Sequence, residues 1–296
     1  METNRKILNI GVALVILVVI LSTGLAYYLK LDNPVFLENY CECNIPMDDD
    51  NYMWDAFTIK YITNFTDKRK VVDISFEEVP NLIFYASEHG HSGYFSNMFD
   101  SNSNDSSENI YGRYIVREVY ITMDMQSIDE PLEELKLSKA KVQFNNGDIM
   151  NVNLGNIILY RERNSKDCIE FTSSGSSSDG TSYIDIIVKK AITLIGVDSP
   201  LLKSKQNLFD MNVGKDNYKN VAGVKYKEED KLTINSIFYR PKDILSQYTF
   251  YDINPKLTYK DDDGNIYTQR IYNIDYSPHR FNTKEIILYL KARGEI

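Results

Sequence analysis

The sequence predicts a mainly β protein, in which an N-terminal transmembrane helix precedes two antiparallel β-sandwich modules of immunoglobulin-like type and a short C-terminal helix. Three observations predict this fold class: one long uncharged segment near the N-terminus, apolar side chains at alternate positions along most of the chain, and Asn/Asp/Gly turns between those runs. The chain has 296 residues, of which 43% are hydrophobic, so it can bury a sizeable core without a disulfide or a metal.

The first element is the segment 7–29, which has no charged side chain. As a helix it would extend roughly 34 Å, enough to cross a hydrocarbon core about 30 Å thick. Arg5 and Lys6 precede it, and basic residues are typical of the cytoplasmic end of a membrane helix. We therefore predict a cytoplasmic N-terminus at 1–6, a transmembrane signal anchor at 7–29 and an extracytoplasmic remainder.

A cleaved signal peptide is the alternative for this segment, and it would leave a secreted protein. Gly24-Leu25-Ala26 supplies the small residues that a cleavage site needs. The apolar stretch is longer than the roughly 7–15 residues of a signal-peptide core, and it ends in Tyr27 and Tyr28, which suit a membrane interface. These features favour a retained anchor.

An acidic spacer is predicted at 30–55. Between Leu31 and Ile59 there are seven acidic residues and no Lys or Arg, and anionic head groups would repel such a segment. The two β-sandwich modules are then predicted at 56–170 and 171–296.

Strands are predicted where apolar residues alternate with polar ones, because successive side chains of a strand point to opposite faces. The clearest runs are Phe57–Tyr61, Val72–Phe76, Ile184–Val188, Leu232–Phe238 and Tyr272–Tyr276.

Turn residues predict how these strands are connected. Asn146-Gly147 indicates a tight hairpin, since both residues adopt positive φ readily, and a longer hairpin loop is predicted between Tyr259 and Ile266. The polar stretch Thr172–Thr181 is either a third hairpin loop or an interdomain linker. Asp100–Asn109 has nothing to bury and is predicted to be a surface loop.

Two short helices are predicted. Pro131–Leu137 starts with a proline, which the first helical position tolerates, and has acidic residues in its first turn. Near the C-terminus Asn282 and Glu285 form the pattern of a capping box, an apolar stretch follows, and Gly294 would end the helix. A final strand is the alternative there.

The charge balance argues against one class of partner. With 33 basic and 42 acidic side chains the net charge is −9, whereas a nucleic-acid-binding protein needs a basic surface to displace counterions from phosphates. No nucleic-acid partner is predicted.

Several motifs were candidates for catalysis or metal binding, and each lacks a required part. Gly90-His91-Ser92-Gly93 has Tyr94 where a serine-hydrolase elbow needs its second glycine. His89 and His91 have only His279 as a third imidazole. The acidic runs 48–50 and 261–263 lack the spacing of a twelve-residue calcium loop. No catalytic, cofactor-binding or metal-binding residue and no cofactor is predicted.

The three cysteines, Cys41, Cys43 and Cys168, leave at least one free thiol. Cys41 and Cys43 are too close in sequence for a relaxed bridge, and a bridge from one of them to Cys168 is the alternative. The pair has no third ligand nearby for a thiophilic metal, so free thiols are predicted.

The sequence thus predicts a single-pass, membrane-tethered extracytoplasmic protein that is not an enzyme. Its partners would be the membrane, through residues 7–29, and an unknown extracytoplasmic protein or cell-wall ligand. The alternative is a tethered or secreted hydrolase, which a pocket with two carboxylates roughly 5–10 Å apart would support.

Overall fold

The fold is described from a computed structural model for residues 2–45, 53–88, 110–125, 134–161, 168–205, 207–272, 274–278 and 281–296. Strands make up 51% of the chain and helices 18%, which confirms the mainly β prediction. The predicted loop at 100–109 lies outside the described residues.

Four α-helices are present in the described residues: α1 (Glu2–Tyr28), α2 (Pro200–Ser204), α3 (Ile244–Gln247) and α4 (Thr283–Arg293). By length and composition α1 could cross a membrane between Asn9 and Tyr28, and none of that stretch is buried. The predicted C-terminal helix is confirmed as α4. The Asn282 side chain accepts a hydrogen bond from the Glu285 amide at 2.9 Å, and Gly294 ends the helix with φ of 76°.

Twenty strands follow α1 in the described residues. They are β1 (Val35–Phe36), β2 (Asn39–Asn44), β3 (Met53–Asn64), β4 (Val71–Phe76), β5 (Phe84–Ser87), β6 (Ile110–Tyr111), β7 (Tyr114–Asp124), β8 (Glu134–Phe144), β9 (Ile149–Tyr160), β10 (Ile169–Ser176), β11 (Thr181–Val188), β12 (Ile192–Asp198), β13 (Phe209–Val213), β14 (Asp216–Asn217), β15 (Lys225–Tyr226), β16 (Lys231–Phe238), β17 (Phe250–Ile253), β18 (Lys256–Asp261), β19 (Ile266–Arg270) and β20 (Ile274–Tyr276).

These strands form three sheets. The large sheet has the order β1-β3-β7-β5-β4-β8-β9-β2-β17-β20, with β6 added on β7. A five-stranded sheet has the order β10-β11-β16-β13-β14, and a four-stranded sheet the order β15-β12-β18-β19. Because β17 and β20 belong to the large sheet, strands from both predicted modules share it. The division into modules at 56–170 and 171–296 stays a prediction.

The predicted hairpins are present. Asn146-Gly147 connects β8 to β9 with Gly147 at φ of 90°, and Gly264 at φ of 86° turns the chain between β18 and β19. Of the two alternatives for Thr172–Thr181, the hairpin is correct, since β10 pairs with β11 across this stretch.

The acidic spacer predicted at 30–55 is wrong for its described part. β1 and β2 lie within it, and β2 pairs in parallel with β9 on one side and with β17 on the other. The acidic residue Glu42, which favoured a solvated segment, is fully buried beside an arginine. Its charge is therefore balanced inside the protein and not by water.

Two smaller predictions also fail. The part of Pro131–Leu137 that the structure describes belongs to strand β8, because its pairing with β9 outweighs a weak local helix preference. Val72 is exposed, whereas Ile74 and Phe76 are buried, because the pairing of β4 with β8 shifts register between Val71 and Asp73.

Three apolar cores hold the sheets together. One lies among β3, β4, β7, β8 and β9, and a second joins the two small sheets to β17 and β20. A third packs α4 against the residues that follow α1, with Leu31, Tyr114, Tyr289 and Leu290 buried in it. The exit of α1 is therefore part of the folded domain.

Candidate functional site

A row of reactive side chains lies where β2, β17 and β20 meet. The parallel pairing of β2 with β17 places Cys41 beside Asp252, and the antiparallel pairing of β17 with β20 places Asp252 beside Asp275. Cross-strand partners point to the same face of a sheet. The three side chains therefore share one face, although more than 200 residues of sequence separate the first from the second.

This row borders an open groove of about 610 Å³, which we call the acid groove. Asp252 and Asp275 reach solvent, whereas Cys41 is buried at its base. The residues of the acid groove used below are Cys41, Cys43, Phe57, Asp252, Tyr272 and Asp275. The groove offers a ligand two carboxylates flanked by aromatic rings.

The acid groove perturbs the ionisation of Asp252. Desolvation of its carboxylate, followed by the negative charge of Asp275, raises the pKa of Asp252 to about 6, although the side chain remains exposed to solvent. The side-chain amide of Asn254 donates to Asp252 Oδ1 at 3.2 Å and acts in the opposite direction. With a pKa of about 6, Asp252 can hold or release a proton near neutral pH.

The thiols at the base of the groove are less suited to chemistry. A hydrogen bond with Cys43, then burial and the charges of Asp252 and Glu42, raise the pKa of the Cys41 thiol well above its usual range. A thiol held in its protonated form is a poor nucleophile. None of Cys41, Cys43 and Cys168 is in a disulfide in the structure, so the bridge to Cys168 that the sequence left open is not formed.

A buried ion pair lies behind the acid groove, on the opposite face of β2. Glu42, between Cys41 and Cys43, accepts hydrogen bonds from the Ser199 hydroxyl, from Arg270 Nη1 at 2.8 Å and from the Asn254 amide at 3.0 Å. The Arg270 guanidinium also lies 3.9 Å from the centroid of the Tyr160 ring. Both charged groups are almost completely buried.

The partners of Glu42 come from different elements. Ser199 caps α2, Asn254 follows β17 and Arg270 ends β19, so the ion pair fastens β2 to the second half of the chain. Burial raises the pKa of Glu42 to about 7, against the lowering effects of the Ser199 hydrogen bond and the Arg270 charge. The ion pair thus holds β2, the strand behind the acid groove, in place.

The free energy of unfolding is expected to increase as the pH falls from about 8 to about 5. The pKa of the fully buried Glu42 in the folded chain, about 7, exceeds its ordinary value of 4.5, so folding favours its protonation. This stabilisation is complete below the ordinary value and is lost as the pH rises through 7. Urea denaturation in detergent should show a gain of roughly 1–3 kcal/mol.

The variant Glu42→Gln should remove most of that pH dependence. Asp262→Asn, an exposed acid in the β18–β19 hairpin, should leave it unchanged. A wild-type chain that loses stability between pH 8 and pH 5 would contradict the assignment.

The structure places the motifs considered from sequence as follows. His89, His91, Ser92, His279 and the acidic run 48–50 lie outside the described residues. Asp261 binds Asn265 and Tyr267 of its own hairpin, and those hydrogen bonds hold its pKa below the usual range. Within the described ranges no three His, Cys, Asp or Glu side chains are placed to hold a metal ion.

Sequence reasoning missed both carboxylate sites. Asp252 and Asp275 each stand between apolar residues in a short strand, a pattern that is common for exposed strand positions. Asp252 and Asp275 are neighbours only because β17 pairs with β20. Glu42 and Arg270 are in contact although 228 residues of sequence separate them. No local signal indicates either arrangement.

No protein-family model and no curated protein matches the chain. Among solved structures, the D00-D0 domain of intimin is similar with a TM-score of 0.22 and 10% identity, covering 81% of this chain and 98% of that one. The human desmocollin-1 ectodomain is similar with a TM-score of 0.19 and 8% identity, covering 84% and 60%.

A third similar structure is described as manganese lipoxygenase of Gaeumannomyces graminis with part of zonadhesin of Komagataella pastoris. Its TM-score is 0.19 and its identity 7%, with 84% of this chain and 97% of that chain covered. TM-scores this low assign neither a fold nor a function to the chain.

Proposed function

We propose that this chain is a membrane-tethered extracytoplasmic protein with a non-enzymatic binding or structural role. In this proposal α1 is a retained anchor, and the strands form immunoglobulin-like β-sandwich modules that contact a partner protein or a cell-wall ligand. The observation that carries the proposal is a long apolar helix, exposed along its membrane-length stretch, that leads directly into a β domain.

Contacts at the end of α1 support retention over cleavage. Arg113 donates a hydrogen bond to the carbonyl of Ala26, and the Tyr114 hydroxyl donates to the carbonyl of Leu29 at 2.6 Å. Cleavage after Ala26 would remove the acceptor of the Arg113 hydrogen bond from the mature chain. The basic pair Arg5 and Lys6 supports an outward orientation of the β domain.

The acid groove is the proposed binding surface. Asp275 also lines a neighbouring polar cavity of about 510 Å³, whose other walls include Arg240, Gln247 and the hydroxyl-rich β10–β11 hairpin. β20, which carries Asp275, is the last strand in the order of the large sheet. A partner would thus contact a concave surface that carries charged groups and aromatic rings and lies beside a sheet edge.

Cysteine labelling in intact cells tests the topology. The natural thiols Cys41 and Cys168 are buried, so the reporter is Asp262→Cys at the exposed β18–β19 hairpin, in a Cys43→Ser background. A membrane-impermeant maleimide is expected to label Asp262→Cys in intact cells and Thr3→Cys only after lysis. Labelling of Asp262→Cys only after lysis would contradict the proposal, and a soluble product starting near Tyr27 would show cleavage and secretion.

A carboxylate-dependent hydrolase is the second candidate, and the Asp252–Asp275 pair favours it. One acid with a raised pKa beside a second carboxylate is an arrangement that general acid–base hydrolysis uses. Purified chain would be incubated with cell-wall glycan fragments and the products analysed by mass spectrometry. A product that disappears in both Asp252→Asn and Asp275→Asn would support the hydrolase, whereas a binding protein should leave the fragments unchanged.

A further inference from the structure

The β domain is in direct contact with the end of α1. Besides the contacts from Arg113 and Tyr114, the Asn64 side chain binds both backbone groups of Leu31, at 3.1 Å to its amide and 2.7 Å to its carbonyl. The Lys291 ammonium lies 5.7 Å from the centroid of the Tyr28 ring. Where α1 crosses a membrane, its terminal tyrosines lie at the level of the lipid head groups, and so must the parts of the domain that touch them.

Strand directions bring three turns to this end of the large sheet. β3 ends and β7 starts beside α1, so the β3–β4 turn at 65–70 and the β6–β7 turn at 112–113 are adjacent, joined by a 2.9 Å hydrogen bond from the Phe65 amide to the Arg113 carbonyl. The β8–β9 turn joins them, since the Asn145 amide donates to the Lys70 carbonyl at 2.9 Å.

The charge of this end is opposite in sign to that of the chain. Among the described residues, the charged side chains at the helix exit and on these three turns include six basic and four acidic ones: Lys30, Lys68, Arg69, Lys70, Arg113 and Lys291 against Asp32, Asp67, Asp148 and Glu295. Arg69 binds Asp67 at 2.8 Å and lies 3.7 Å from Asp148, and the ten side chains together have a net charge of +2. The whole chain has a net charge of −9.

Two apolar side chains are exposed at the same end. Phe65 is 54% exposed at the tip of the β3–β4 turn, and Ile149 is 68% exposed at the start of β9. Exposed apolar side chains among basic residues are typical of surfaces that lie in a membrane interface, where the apolar groups enter the head-group layer and ammonium groups contact lipid phosphates.

We propose that this end, the basic collar formed by Lys30, Phe65, Lys68, Lys70, Arg113, Ile149 and Lys291, docks on anionic lipid head groups of the membrane that holds α1. The inference rests on the proposed membrane attachment. Docking fixes the tilt of the domain, so that the acid groove is held in one orientation to the surface. Of the acidic residues predicted to repel the membrane, Glu42 is buried and Glu38 pairs with Arg293 at 3.4 Å, whereas Asp32 is exposed and is included among the acidic side chains of this end.

Hydrogen exchange of the full chain in lipid nanodiscs tests the collar. Discs of phosphatidylcholine alone are compared with discs of an equal mixture of phosphatidylcholine and phosphatidylglycerol. Backbone amides of 65–70 and 112–113 are expected to exchange several-fold more slowly in the anionic discs, and high salt should remove the difference. Lys68→Glu/Lys70→Glu should abolish it, whereas Lys215→Glu/Lys219→Glu, an equal charge change at exposed positions near β14, should not.

The results distinguish failure of the collar from failure of membrane attachment. Equal exchange in both discs, or equal effects of the two double variants, would overturn the collar while leaving the anchor intact. A chain that associates with neither disc would refute membrane attachment and the collar with it.

Discussion

The Arg270→Met variant is expected to have a free energy of unfolding at least about 3 kcal/mol lower than that of the wild-type chain at pH 8. Arg270 donates to Glu42 at 2.8 Å and to the carbonyl of Asn254 at 2.6 Å, and all three groups are buried. Without the guanidinium, Glu42 must either keep an unbalanced buried charge or take up a proton. At pH 5 the proton is readily available, so the loss of stability should be smaller than at pH 8.

Urea denaturation at both pH values measures this effect. Arg293→Met is the matched control, since Arg293 pairs with Glu38 at 3.4 Å in a partly exposed position, where such a pair contributes about 1 kcal/mol or less. Adding Glu42→Gln to Arg270→Met should recover part of the loss. Equal losses for Arg270→Met and Arg293→Met would show that the buried pair does not hold β2 in place.

Gly155→Ala is expected to destabilise the chain by about 2–5 kcal/mol in total. Gly155 lies in β9 opposite Asn39 of β2, and its φ of 92° is a conformation that other residues adopt only with strain. A Cβ at this position would lie 2.3 Å from the Asn39 carbonyl oxygen, so β2 would have to move away from β9.

The variant Gly147→Ala separates the effect of backbone strain at positive φ from the effect of a close contact with a neighbouring strand. Gly147 has nearly the same φ, 90°, but nothing lies within 4 Å of its added Cβ, so only the backbone strain of about 1–2 kcal/mol applies. Thermal or urea denaturation of both variants compares them directly. A Gly155→Ala variant no less stable than Gly147→Ala would contradict the close approach of β2 to β9.

Local patterns predicted the elements that local physics controls. Alternation identified the strands at Ile184–Val188 and Leu232–Phe238, whose apolar residues Ile184, Ile186, Val188, Leu232, Ile234 and Phe238 are buried. The Asn146-Gly147 turn and the capped helix α4 were likewise visible, because backbone preferences of a few residues decide them.

Arrangements that depend on distant pairing were not predictable from these patterns. The acidic composition of 31–45 indicated a solvated spacer, yet its one fully buried acid, Glu42, is balanced by Arg270, far along the chain. The acid groove likewise exists only because β2 brings Cys41 beside Asp252. Composition reports the average solvation of a segment and carries no information about which distant charge it meets.

Hydrogen exchange of β2 tests most directly the claim that the residues after the membrane helix are an integral strand joining both halves of the domain. In the full chain, the β2 amides that bond to β9 and β17 should exchange as slowly as those in the centre of β9, because both are released only when the fold opens. Exchange of β2 at the rate of the exposed β18–β19 loop, with β9 still protected, would show a flexible spacer and contradict the account.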